Sequence, residues 1–432
     1  MKKNSLVILM MIFIIIPKIN NAQRLNEQSI NKLNDYAIPF GQDDSNSKAK
    51  FEKFITTLNN KKIIALGESS HGTAEFNSAK DKIIRYLVQY QNVKTVALET
   101  DFCGMEIINN FVLNKYPDST HNEIEFKGLY GLYGIYRTYE VYELAKWLQK
   151  YNKSLPESQQ VTFTGIDMQD PYYVSISLIN DSREIPFEQS DILALNKIRD
   201  NFRGKNVYKF REDDHKLIQR LNNVTDNFKN HQRYGLIKRH IRILEQVMSL
   251  FGVSGSKYSE VRDVYLAENA LWLSNNNSSP EAKTVIWAHN GHISASTNNN
   301  SRKMGSYLRE HLHDRYYALA LSFNEGAVSI FDFASKSRTY KAFKYGPSGK
   351  ENSVEYFLNQ CLLNAFVLNF ADFKHDKAFR NEIELYKYMR VIGAEYLKDE
   401  RNIYFKVPVV DNFDGILFIK NTSAAYNLPR TK

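Results

Sequence analysis

The sequence predicts an α/β fold: a mostly parallel central sheet flanked by helices, with a helical insertion. Three observations point there. Short strands of continuous apolar residues alternate with amphipathic helices, the βαβ pattern of a sheet covered on both faces. The stretch at about 187–277 shows helical periods and no convincing strand, and strands then resume towards the end of the chain. The chain has 432 residues, 43% hydrophobic and 24% charged, which excludes collagen-like and disordered readings. That length allows one large domain or two ordinary ones.

Residues 1–22 read as a secretory signal peptide, leaving 23–432 as the α/β chain proper. Lys2 and Lys3 make a basic start, Leu6 to Ile16 is an unbroken apolar run, and Pro17 breaks it. Asn20-Asn21-Ala22 then offers a small residue for cleavage. The apolar run is well short of the ~20 residues that span a bilayer. An uncleaved N-terminal anchor is the rival reading. The expectation is a secreted or periplasmic protein with no stable membrane span after cleavage.

The strands and helices follow in order. Asn46 to Asn60 is expected to be helical, with Phe51, Phe54, Ile55 and Leu58 on one face, and Lys62 to Leu66 is a short apolar strand. Thr73 to Tyr90 is helical, Thr95 to Leu98 a buried strand, and Phe102 to Leu113 and Tyr139 to Tyr151 are helices. Val161 to Ile166 is the third strand. In the insertion, Ile237, Ile241, Leu244, Val247, Met248 and Phe251 line one helical face, and Glu260 to Leu273 forms another helix. Strands resume at Thr284 to Trp287, Tyr317 to Ser322, Ala327 to Phe331, Ala365 to Phe370 and Ile416 to Ile419. The Asn-rich stretch Thr297 to Ser301 reads as a loop.

Charge and cysteine content narrow the partners. The net charge is +9, and Lys2, Lys3 and Lys18 supply three of those charges, leaving +6 for the rest. No run of five Lys or Arg occurs. Nucleic-acid binders concentrate charge on one face, so no nucleic-acid partner is expected. Cys103 and Cys361 are too few for a disulfide framework or a cysteine zinc site. One disulfide or two buried thiols both remain open. Nothing in the sequence fixes an oligomeric state.

Ligands of open parallel sheets bind beyond the carboxyl ends of the strands. Ionisable residues concentrate there: Glu68 and His71 after the first strand, Glu99 and Asp101 after the second, Asp167 after the third, His289 and His292 after the fourth. An imidazole beside a carboxylate is held in one tautomer and can take a proton from water. The same residue types can hold zinc, iron or manganese, so hydrolysis and metal binding both stay open. Plainer readings exist for each residue. His71 could be a turn residue, Glu68 a helix cap, His289 and His292 structural, and Glu99 and Asp167 partners of an arginine, with Arg137 the first candidate. There is no G-x-S-x-G elbow, P-loop or G-x-G-x-x-G fingerprint.

Eight blocks in order resemble the erythromycin esterase family across most of the chain. They are Leu66 to Phe76 (LGESSHGTAEF), Ala97 to Phe102, Arg137 to Val141, Gly165 to Gln169, Arg262-Asp263, Trp287 to His292, Met304 to Arg309 and Phe413 to Ile416. The resemblance implies an esterase that opens a macrolide lactone by water attack. In that reading His71 is the general base, and Glu68, Glu99, His289 and His292 complete the active site. Arg137, Glu140, Asp167 and Arg262 support it or touch substrate. No cofactor is required; a divalent metal, if used, would draw on Glu68, His71, Glu99, His289 and His292. A non-catalytic site for a macrocycle or haem-like ligand is the third reading. The chain departs from the family at Lys80, where Arg is common, and at Tyr136, where Trp is common. Lysine keeps the charge and loses the planar fork, which leaves a small-molecule ester or other polyketide-like compound as plausible a substrate as a macrolide.

Overall fold

The computed structural model describes residues 26–117, 129–203, 209–296, 302–332, 339–393, 396 and 399–428. The signal-peptide reading and the Asn-rich loop at 297–301 lie outside the described residues. Among the described residues no helix is long and apolar enough to cross a membrane.

The apolar runs form strands β1 (Ile38–Pro39), β2 (Ile63–Leu66), β3 (Val93–Asp101), β4 (Thr162–Asp167), β5 (Lys283–Trp287) and β6 (Tyr316–Phe331). They are followed by β7 (Tyr340–Tyr345), β8 (Ala365–Asn369), β9 (Tyr388–Arg390), β10 (Tyr404–Lys406) and β11 (Gly415–Thr422). One sheet runs in the order β1-β8-β11-β6-β2-β5-β3-β4, with β7 paired to β6. From β11 to β4 every neighbour is parallel; β8, β1 and β7 pair antiparallel. The hairpin β9–β10 stands apart. After β2 the chain crosses to β3 and β4, returns to β5 between β2 and β3, and then passes to β6 on the far side of β2. That reversal puts the carboxyl ends of β2, β5, β3 and β4 side by side.

Alternation along β2 divides the core. Ile63 and Ala65 face a layer with Leu178, Ile241 and Leu266 from the helices at 172–181, 234–251 and 256–275. Ile64 and Leu66 face the other layer, with Phe54, Ile83, Ile108 and Leu144 from the helices at 45–56, 74–90, 106–112 and 139–152. Residues 172–275 contribute helices and no strand among the described residues.

Several elements differ from expectation. The strands expected at 317–322 and 327–331 are one, β6, because pairing with β11 continues through Glu325 and Gly326. Gly326 sits at φ +142°, and a Cβ there would stand 2.2 Å from Thr422 O. The helix expected from Phe102 starts at Glu106, because Asp101 Oδ1 accepts the Gly104 N–H at 2.6 Å and holds a turn first. Phe251 is 37% exposed at its helix end, where it meets Phe202 and Phe210 edge-on. Cys103 and Cys361 are free buried thiols.

Candidate functional site

β2 delivers Glu68 directly into the protein, where it is fully buried. Its Oε1 accepts from His71 Nδ1 at 2.7 Å and from the Tyr136 hydroxyl at 3.5 Å. Its Oε2 accepts from Trp287 Nε1 at 3.0 Å and from the Lys80 ammonium. The Lys80 ammonium also lies 4.0 Å from the Trp287 ring centroid, a cation–π contact strengthened by burial. Burial would raise the Glu68 carboxyl, but Lys80 and His71 outweigh it and hold it at about 2. Burial pulls Lys80 down to about 8, against the pull of Glu68. An ionised Glu68 takes the proton-bearing Nδ1 of His71, which leaves Nε2 as an acceptor. The His71 side chain remains 11% exposed.

The turn carrying His71 is held by distant chain. Gly72 O accepts from Ser329 N at 2.8 Å and from Ala425 N at 2.9 Å. A Cβ on residue 72 would stand 1.8 Å from Ser329 O, so only glycine fits. Ala74 N donates to Ser423 O at 3.0 Å, and the Glu75 carboxylate accepts from Ser423 N and Oγ at 2.7 and 2.6 Å. Further on, Tyr139 N donates to Tyr426 O at 3.0 Å and Leu428 N to Arg137 O at 2.9 Å. Residues 423–428 are thus a strap across the His71 turn and the entry of the 139–152 helix.

β5 ends at Trp287, and His289 caps the short helix Asn290–Ile293. The His289 Nδ1 accepts from Gly291 N at 3.2 Å. Its proton therefore sits on Nε2, which is buried and has no hydrogen-bond partner. Burial, then the neighbouring His71, push His289 down to about 4. The His71 and His289 ring centroids are 4.9 Å apart, tilted by 38°. Two imidazoles meet here, one with a free acceptor nitrogen and one with a free donor.

His292 is a different kind of residue. Its Nδ1 is 2.6 Å from Asp263 Oδ1 and its Nε2 is 3.2 Å from Glu99 Oε1. Burial works against its charge, but Glu99 and Asp263 outweigh burial and push it up to about 9. Glu99 also accepts from Arg262 Nη2 at 2.8 Å and, through Oε2, from the His289 backbone N–H at 2.9 Å. Burial opposes the Glu99 charge, yet His292 and Arg262 hold its carboxyl well below the usual range. Arg262 closes the group on Asp167, with Nε 3.1 Å from both oxygens and Nη2 2.5 Å from Oδ2. The arginine that pairs with Glu99 and Asp167 is therefore Arg262, not Arg137: the 256–275 helix lies against β3, β4 and β5 and presents Arg262 at their carboxyl ends. Arg137 follows the turn Gly134–Tyr136, where its charge acts on the Tyr173 phenol. Glu140, in the first turn of the next helix, has a buried Oε2 with no hydrogen-bond partner.

The strand-end residues thus form two linked groups: Glu68, His71, Lys80 and His289, and Glu99, Asp167, Arg262 and His292. The backbone of His289 joins them. Sequence reasoning gave no role to Asp263 or Trp287. Their signals were faint: Asp263 is simply the neighbour of Arg262, and an indole at the end of an apolar strand looks like core.

The carboxylates and His292 of the candidate metal-ligand set are already engaged. Both Glu68 oxygens and both Glu99 oxygens already accept hydrogen bonds, two of them from the cations of Lys80 and Arg262. Both His292 nitrogens face carboxylates. Among the described residues no three His, Cys, Asp or Glu side chains form a group that could hold an ion.

Comparison with known proteins identifies the family. The sequence profile of the erythromycin esterase family matches residues 88–422. The chain belongs to the erythromycin esterase family. It is 25% identical to erythromycin esterase type II of Escherichia coli, over 87% of this chain and 93% of that protein. It is 21% identical to the putative hydrolase YbfO of Bacillus subtilis (strain 168), over 88% of each chain. The fold matches that of the erythromycin esterase EreC, in its open conformation, with a TM-score of 0.65 at 16% identity, covering 89% of this chain and 96% of that one. Family membership supports a hydrolase acting on a small molecule.

Proposed function

We propose that the protein hydrolyses a carboxylic ester or macrolide lactone by attack of a water that His71 deprotonates, without a metal. The observation that carries this reading is the pairing of the two imidazoles. His71 offers a lone pair at Nε2, and His289 beside it offers an unpartnered N–H.

The steps follow from those atoms. His71 Nε2 accepts a proton from water as the oxygen adds to the carbonyl carbon. Glu68 stabilises the imidazolium that forms and holds the ring in position. The carbonyl oxygen becomes an oxyanion, to which His289 Nε2–H donates. Collapse breaks the carbon–oxygen ester bond, and the leaving alkoxide takes the proton back from His71. The products are a carboxylic acid and an alcohol, joined in one molecule when the substrate is a lactone. Lys80 keeps Glu68 ionised despite its burial. Glu99, Arg262, Asp167 and His292 act as a charged frame that holds the His289 backbone. With residues 1–22 read as a signal peptide, the proposal is of an activity outside the cytoplasm.

The test is mass spectrometry of purified protein with macrolides and simple esters, with and without divalent metals. Addition of one water to a lactone or ester is expected, and His71→Ala should abolish it with the fold retained. Unchanged turnover in that variant overturns the general-base role. Turnover only with added metal overturns the metal-independent step, and tight binding with no turnover overturns hydrolysis itself.

A further inference from the structure

A groove of about 570 Å³ lies beside the His289 turn. One wall is that turn, including Asn290 and Gly291; the other is the β9–β10 hairpin with the segment after it, through Met389, Val391, Phe405 and Val407. Its volume is within the range of small-molecule sites, ~300–1,000 Å³. We infer that this groove is the subsite for the apolar arm of the ester substrate, with Phe405 as its specificity-determining residue. The inference rests on the hydrolase reading above.

Three observations converge on it. The first is continuity with the proposed chemistry: Gly291 lines the groove, and its N–H is the donor that fixes His289 Nδ1. On the opposite wall, Ile392 N donates to Ser69 O at 2.6 Å, so the hairpin is tied to the loop between Glu68 and His71. A ligand in the groove therefore touches the segment that follows His289 and a wall that is bonded to the loop before His71.

The second is rigidity. Arg390, at the end of β9, is fully buried. It donates from Nη1 to Asn324 O at 2.7 Å, and from Nη2 to Gly346 O at 3.0 Å and the Tyr404 hydroxyl at 2.9 Å. Its backbone N–H meets Glu355 Oε1 at 2.8 Å. A short hairpin is marginal alone; these bonds fix it to the β6 side of the molecule.

The third is Phe405 itself. It is 52% exposed although the residue opposite it, Met389, is fully buried. An exposed phenylalanine at the rim of an apolar cleft loses contact with water when an apolar ligand enters. Because so much of its ring is in solvent, its removal leaves the core intact.

The experiment compares wild type, Phe405→Ala, Phe405→Leu and His71→Ala on esters that differ in one arm: 4-nitrophenyl acetate, 4-nitrophenyl octanoate and octyl acetate. The expected result is a roughly tenfold rise in KM in Phe405→Ala for an ester whose eight-carbon arm occupies the groove, with the 4-nitrophenyl acetate kinetics close to wild type and with Phe405→Leu close to wild type on all three. His71→Ala should lose all three substrates. A Phe405→Ala effect that is equal on short and long esters, or absent, overturns the subsite. Failure of wild type to cleave any of the esters would count against the hydrolase reading, and direct binding of octanoate then decides the groove. Saturable binding weakened by Phe405→Ala upholds it; binding that is absent or unchanged in the variant overturns it.

Discussion

Two histidine–carboxylate clusters among the described residues differ in how many acids flank each imidazole. On the insertion side, His240 is fully buried between Asp181, 2.7 Å from Nδ1, and Glu106, 3.1 Å from Nε2. Arg233 Nη2 bonds Asp181 at 2.9 Å, and the Ser177 hydroxyl bonds Glu106. Burial opposes the His240 charge, but Glu106 and Asp181 outweigh it and push it up to about 10. At the strand ends, His71 has one carboxylate and one open nitrogen, and His289 has a backbone partner and an orphaned N–H. An imidazole clamped by two acids is a fixed cation and serves the fold. One held on a single side can exchange a proton.

That contrast can be broken or sharpened by mutation. The largest effect is expected for His71→Ala, a loss of about 10²–10⁴ in kcat with little change in melting temperature, read by ester turnover and calorimetry. His240→Ala should reverse the pattern. It leaves the buried Asp181 and the partly exposed Glu106 short of a partner and should cost up to about 3 kcal/mol of stability in denaturant titrations, while the molecules that remain folded keep their turnover. His289→Leu removes the proposed oxyanion donor and should lower kcat by about 10²–10³, a smaller loss than the most severe expected for His71→Ala.

His240 and His289 should also respond to pH with opposite sign. The folded-state value of His240 is raised from 6.5 to about 10. Its contribution is complete below pH 6.5 and is lost as pH rises towards 10. The folded-state value of His289 is lowered from 6.5 to about 4. Between those values the unfolded chain holds the extra proton, so stability falls as pH drops through that window. Stability–pH profiles check this: His240→Ala should flatten the alkaline limb and His289→Leu the acid limb. The smallest effect is expected from chelation. Dialysis against EDTA should leave ester turnover unchanged, because Lys80 and Arg262 occupy the positive positions beside Glu68 and Glu99.

The sheet was legible because its inner strands are continuous apolar runs bounded by turns, as in Ile63–Leu66 and Lys283–Trp287. β7 was not, because the exposed Lys341 and Lys344 fall on opposite faces of the strand and break both an apolar run and an apolar–polar alternation. β1, β9 and β10 span two or three residues, too few to show a period. The site was legible as a set of strand ends. Its wiring was not: Arg262 reaches Asp167 across 95 residues, and no local pattern distinguishes it from Arg137 as the partner. The His240 cluster left no trace either, since a single histidine on an apolar helix face reads as core until its two acids are seen.

The strap at 423–428 gives the site a timetable. Glu75 and Ser423 are 348 residues apart. At translation rates of about 5–20 residues per second, on the order of 20–70 s separates their synthesis. Every acid and imidazole of the site leaves the ribosome before the segment that clamps the His71 turn. A nascent chain therefore carries the whole chemical inventory of the candidate site while the strap across the His71 turn is still unmade.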